Sequence, residues 1–121
     1  MAQSFRDLQV WQRSMDLACS IYRLTQEFPR EELYGLTSQM RRSAISVPSN
    51  IAEGQARNST GEFRQFLGVA RGSNAELQTQ IQLAGRLQFG NPTLRGEVEL
   101  LSHEVGKMLY AMLESLKSTT H

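Results

Sequence analysis

The chain has one cysteine, Cys19, and only two lysines, and no stretch of it approaches the roughly 18 consecutive apolar residues of a membrane span. A single thiol cannot close an intrachain disulfide or build a thiolate metal cluster, so a reducing compartment is the default expectation. Met1-Ala2-Gln3-Ser4-Phe5-Arg6-Asp7 carries no apolar signal core. Together these absences predict a cytoplasmic protein with no membrane partner. Catalytic signatures are missing too: there is no glycine-rich loop closing on Gly-Lys-Ser/Thr and no His-Glu-x-x-His. Glu99 and His103 stand four residues apart, not the three of bundle di-iron sites, and no second histidine completes such a centre. His103 reads as a surface residue, and Cys19, with no evident base beside it, as a small packing residue. The pattern predicts no enzyme, no cofactor and no metal. Charge of neither sign is in excess, and a net charge of +1 argues against a generally basic nucleic-acid binder.

What is present is helical rhythm. With 121 residues, 40% hydrophobic and 21% charged, residues 1–121 suffice for one domain with its own core. The first helix is expected from Ser4–Asp7 to about Phe28, stopped by Pro29. Leu8, Trp11, Met15, Ala18 and Tyr22 form one apolar row along it, and Val10, Leu17, Ile21, Leu24 and Phe28 a second. The two rows cover about half the helix, a surplus that calls for a second copy of the chain unless it widens the core. Helix two should run from Arg30–Leu33 to Gly54. Pro48 removes a backbone donor inside it, yet the stripes keep their phase, which predicts a kink rather than a break. Ser59-Thr60-Gly61-Glu62 has the form of a capping box opening a third helix to about Phe89. Gly68, Gly72 and Gly85 within it suggest a backbone approaching closely. Gly90-Asn91-Pro92 reads as C-cap, N-cap and first residue of the last helix, whose core row is Leu94, Val98, Leu101, Val105, Met108 and Met112. Four helices with short connections and no strand signal predict an all-α, antiparallel up-down-up-down four-helix bundle.

Helix two carries an unusual pair of stripes. Leu36, Met40, Ala44, Val47 and Ile51 line a core face, and Gln39, Ser43, Ser46, Asn50 and Glu53 repeat the rhythm one residue earlier. Small hydroxyls and amides suit close approach to another helix better than they suit open surface. Facing Ser73, Glu76 and Gln80 of helix three, or of a neighbouring subunit, they would form a network that fixes register and assembly, with a ligand site in the same cleft as the alternative. Its carboxylates need cations, for which Arg41, Arg42 and Arg71 are the candidates. Eleven of the 13 cations are Arg, the better fork for carboxylates and phosphates. Arg57, Arg64 and Arg71 recur every seven residues, and with Arg41 and Arg42 they are the candidate RNA contacts. Phe63 and Phe66 belong to the core row and cannot stack bases, so such binding would be dominated by phosphate. A protein-interaction scaffold with no nucleic-acid role is the competing class.

Phe5-x-x-Leu8-x-Val10-Trp11, Gln39-x-Arg41-Arg42-Ser43-Ala44-x-Ser46-Val47-Pro48-Ser49-Asn50-Ile51-Ala52-Glu53-Gly54, Ser59-x-x-Glu62-Phe63, Ala70-x-Gly72-Ser73-x-x-Glu76-Leu77 and Lys107-Met108-Leu109 resemble the four-helix-bundle proteins named after 23S rRNA intervening sequences. The resemblance covers almost the whole chain. It implies a left-handed antiparallel bundle assembling into a ring-like homopentamer. A related branch, the accessory variability protein of diversity-generating retroelements, forms a similar pentamer that binds nucleic acid and a reverse transcriptase, and is much more basic than this chain.

Overall fold

Ser59 and Asn91 begin the two longest helices. The Ser59 hydroxyl accepts from the Glu62 N–H at 3.1 Å and Asn91 Oδ1 from the Leu94 N–H at 3.0 Å, each satisfying a donor that has no partner in a first helical turn. The computed structural model describes residues 4–117. It contains four α-helices: α1 Gln9–Thr25, α2 Ser38–Gln55, α3 Thr60–Leu87 and α4 Pro92–Lys117, and among the described residues no strand forms.

The first two helices are shorter than their sequence pattern predicts, for local reasons. Phe5–Asp7 forms a separate 3₁₀ turn capped by Ser4, after which Leu8 is extended (φ −77°, ψ 125°) and α1 starts afresh. Beyond Pro29 the chain winds through a 3₁₀ turn, Arg30–Glu32, and a wide π turn, Leu33–Thr37. Gly35 leaves helical geometry there (φ −116°, ψ −116°), and the Glu32 carboxylate crosses beside it to accept from the Leu36 N–H at 3.1 Å. A side chain on Gly35 would meet that carboxylate at 3.0 Å. α2 then continues through Pro48 to Gln55.

At its far end α3 closes on Gln88, not on Gly90. Gln88 takes the left-handed conformation (φ 60°), with Phe89 N–H bonding Ala84 O and Gln88 N–H bonding Gly85 O, the paired closure of a Schellman cap. Gly90 also has positive φ (79°), and contact adds a second constraint there. A Cβ there would lie 2.7 Å from Leu24 and 2.9 Å from Phe28.

The principal contacts are α1 with α2, α2 with α3, α3 with α4 and α4 with α1, so each helix has two main neighbours. One core joins Leu17, Ile21 and Leu24 of α1, Met40, Val47 and Ile51 of α2, Leu67 and Leu77 of α3 and Val98, Val105 and Leu109 of α4. Burying a side chain of this size contributes about 1.5–3 kcal/mol. The second apolar row of α1 is therefore the intrachain core, and its expected role as a subunit contact is corrected. Burial requires neighbours on that side, and α2 and α4 supply them. Met15 and Tyr22, from the other row, are the ones left exposed.

Within the chain no backbone approaches Gly68, Gly72 or Gly85: added Cβ atoms there meet nothing within 4 Å. The tight glycine is Gly54, where a Cβ would stand 2.6 Å from the Phe66 Cβ and 3.1 Å from the Phe63 ring. There α2 approaches α3 more closely than alanine permits.

Candidate functional site

The polar row of α2 divides when folded. Ser46 and Ser73 hydroxyls meet at 2.7 Å across the α2–α3 contact, and Asn50 Nδ2 donates to Ser46 Oγ at 3.0 Å and Ser46 O at 2.8 Å. Ser43 is buried, as is Gln80, whose Oε1 is shielded from solvent and has no partner. Gln39, Glu53 and Glu76 lie exposed, so the eight residues do not make one network. Helical rhythm places them in a row but cannot say how deep each sits. The cation on Glu53 is likewise none of the three expected. It is Arg57, one turn on, at 2.8 Å.

The five arginines named as candidate RNA contacts are dispersed over the chain's surface. Arg41 packs toward α1, its Nε donating to Thr25 Oγ1 at 2.8 Å and its guanidinium 4.5 Å from the Tyr22 ring. Arg42, next in sequence, is exposed beside the same groove. Arg57 belongs to the turn before α3 and covers the Phe66 ring at 4.8 Å. Arg64 is half-buried, with an unpartnered Nε. Arg71 reaches α4, 5.2 Å from the Tyr110 ring. The α1–α2 groove and the α3–α4 groove lie on different sides of the fold, so Arg41 and Arg71 cannot line one continuous track within a chain. Three of the five guanidiniums, those of Arg41, Arg57 and Arg71, sit over aromatic rings.

Two surfaces remain open. On the α1–α2 side a groove of about 550 Å³ is lined by Tyr22, Leu33, Tyr34, Ile45 and the Arg41–Arg42 pair, and a second of about 340 Å³ continues from Ile45 along Met15, Trp11 and Pro48. Tyr34 is 91% exposed and Leu33 and Ile45 nearly half, which makes an exposed apolar strip. On the α3–α4 side a cleft of about 390 Å³ brings Arg71 together with His103, Lys107 and Tyr110. Reading by residue pattern missed this cluster, although His103, Lys107 and Tyr110 fall on one side of α4 at steps of four and three. Only packing shows that Arg71 faces them. Cys19 is exposed, not packed as expected. Among the described residues no group of three or more His, Cys, Asp or Glu is placed to hold a metal ion, and no helix is long and apolar enough to cross a membrane.

The model of the 23S rRNA-intervening sequence protein family matches residues 6–111. The chain belongs to that family. A crystal structure of a protein of unknown function from the S23 ribosomal protein family of Bacteroides thetaiotaomicron has the same fold, with a TM-score of 0.79 over 87% of this chain and 95% of that one. At 23% identity the likeness speaks for the fold alone. No curated protein matches this sequence. Within the 23S rRNA-intervening sequence family match lie both open surfaces, the α1–α2 strip and the Arg71 cleft.

Proposed function

We propose that this protein is a non-enzymatic, cytoplasmic, homo-oligomeric binding module, a ring-like pentamer built from left-handed antiparallel up-down-up-down bundles with α2 bent at Pro48. The antiparallel order is supported by Arg41 bonding Thr25, Gly54 lying against Phe63 and Phe66, and Gln82 bonding Glu99: in each of these pairs a position late in one helix meets a position early in the next. The single observation behind oligomerisation is the α1–α2 strip, where Leu33, Tyr34 and Ile45 are exposed beside one another. Covering such a strip with a neighbouring copy releases ordered water at each of the ring's interfaces. Sedimentation at micromolar concentration tests it. The wild type should sediment as a pentamer, and Tyr34→Glu with Ile45→Glu as a folded monomer. A wild-type monomer would overturn the assembly.

RNA is the ligand this reading favours. A ring repeats Arg42, Arg71 and Lys107 in every subunit, so a chain of net charge +1 can still present several cations to successive phosphates. RNA binding measured against salt should fall by about 0.7–0.9 log units of affinity per log unit of salt for each phosphate neutralised. Salt-insensitive binding, or none at low salt, would leave a protein-interaction scaffold as the function.

A further inference from the structure

We infer that the cleft between α3 and α4 is a phosphate-binding site, taking a phosphate monoester or a phosphodiester of an RNA chain; the second source rests on the RNA reading above, the first does not. Arg71 comes from α3, His103 and Lys107 from α4, and among the described residues no carboxylate lines the cleft. Glu104, the acid beside His103, is held away by Arg13 of α1 at 2.8 Å. Glu76 is the nearest acid along α3 and points to solvent. Three nitrogen donors from two helices thus converge on about 390 Å³ with no fixed anion to neutralise them.

Two details make this a shaped site instead of a patch of surface charge. Arg71 lies over the Tyr110 ring, 5.2 Å from its centroid, a contact that positions the guanidinium at the cleft without taking up its N–H donors. Gly106 forms part of the floor: a Cβ there would press on Asn74 Nδ2 at 3.2 Å. Asn74 itself is 2% exposed and donates to Ser102 O at 2.9 Å, while its Oδ1 has no partner. A buried acceptor without a donor is costly, and a protonated phosphate or a ribose hydroxyl is the kind of group that completes it after a small opening of the floor. The other clefts lack this combination. Arg86 and Arg95 share theirs with Glu99, and Arg41 is already bonded to Thr25.

Amide NMR of the full chain tests the site with three probes: inorganic phosphate, uridine 5′-monophosphate and a short single-stranded oligoribouridylate. Phosphate should give saturable shifts at Ala75, Gly106 and Lys107. Arg71→Gln combined with Lys107→Gln should weaken every probe by about tenfold or more, with an unchanged thermal midpoint because both side chains are exposed. An oligonucleotide that binds no better than the monophosphate identifies a free monoester as the ligand and removes the RNA reading while keeping the site. Oligonucleotide binding that survives the double substitution intact keeps the RNA reading and overturns the site. Absence of saturable shifts with all three probes overturns it as well.

Discussion

The hydroxyls of Ser46 and Ser73 lie 2.7 Å apart, joining the middle of α2 to the middle of α3, and Asn50 holds Ser46 from the following turn. The Ser46 oxygen accepts from Asn50 and shares one further proton with Ser73, which either hydroxyl can supply. Either serine replaced by alanine should cost about 1 kcal/mol, and the double replacement should cost less than the sum. Urea denaturation of the wild type and the three variants measures this, and strict additivity would show that the contact contributes nothing.

Gly54 and the pair Gly68 and Gly72 should respond to alanine in opposite directions. At Gly54 the new methyl would sit 2.6 Å from the Phe66 Cβ, so α2 and α3 must part, at about 1–3 kcal/mol. At Gly68 and Gly72 the methyl enters open space, and alanine's helix preference should stabilise α3 by up to about 1 kcal/mol each. Thermal melts of the isolated subunit check both signs. If either of the latter substitutions instead dissociates the assembly, α3 forms part of a subunit contact.

Arg13 joins Glu104 across α1 and α4, at 2.8 Å through one nitrogen and 3.2 Å through a second. The hydrogen bond from Arg13 holds the Glu104 carboxyl below its ordinary range, against a smaller opposing effect of burial. A carboxylate with a depressed folded pKa adds stability above its unfolded pKa and loses it as pH falls through the folded value. Glu104→Gln should therefore flatten the acid side of the melting-temperature profile and leave the neutral-to-alkaline slope alone. Because both side chains are well exposed, added salt should shrink the difference. A variant with the wild-type acid slope would contradict the assignment.

Gln88 occupies a left-handed position that glycine adopts without strain. Gln88→Gly should stabilise the α3 terminus by roughly 1 kcal/mol. Gly90→Ala, two residues on, should destabilise, since its Cβ would collide with Leu24 and Phe28. Denaturant midpoints of the two variants should move apart, and shifts of the same sign would contradict one of the two assignments.

Local chemistry was legible where cause and effect lie within a turn or two. Ser59 and Asn91 cap because a side-chain oxygen can reach an N–H three residues on whatever the rest of the chain does. Of the row Leu36, Met40, Ala44, Val47 and Ile51, the last four are buried and Leu36, in the π turn before α2, is half-buried against the same core, since a helix aligns that spacing on one face. The same reasoning failed for Gln39, Glu53 and Glu76, which share a helical flank with buried neighbours but lie just beyond the reach of the adjoining helix.

The order of residues by itself determined the four helices, the starts at Ser59 and Asn91, and the rows able to form a core. Periodicity and capping are properties of a few consecutive residues, so they need no knowledge of what lies opposite. Tertiary packing alone decided which apolar row of α1 turns inward, that Gly54 and not Gly68 receives a neighbouring helix, and that Arg71 meets Lys107 and His103 while Arg41 turns to Thr25. Those outcomes depend on distances between residues far apart in the chain, which exist only once α1, α2, α3 and α4 have closed around a common core.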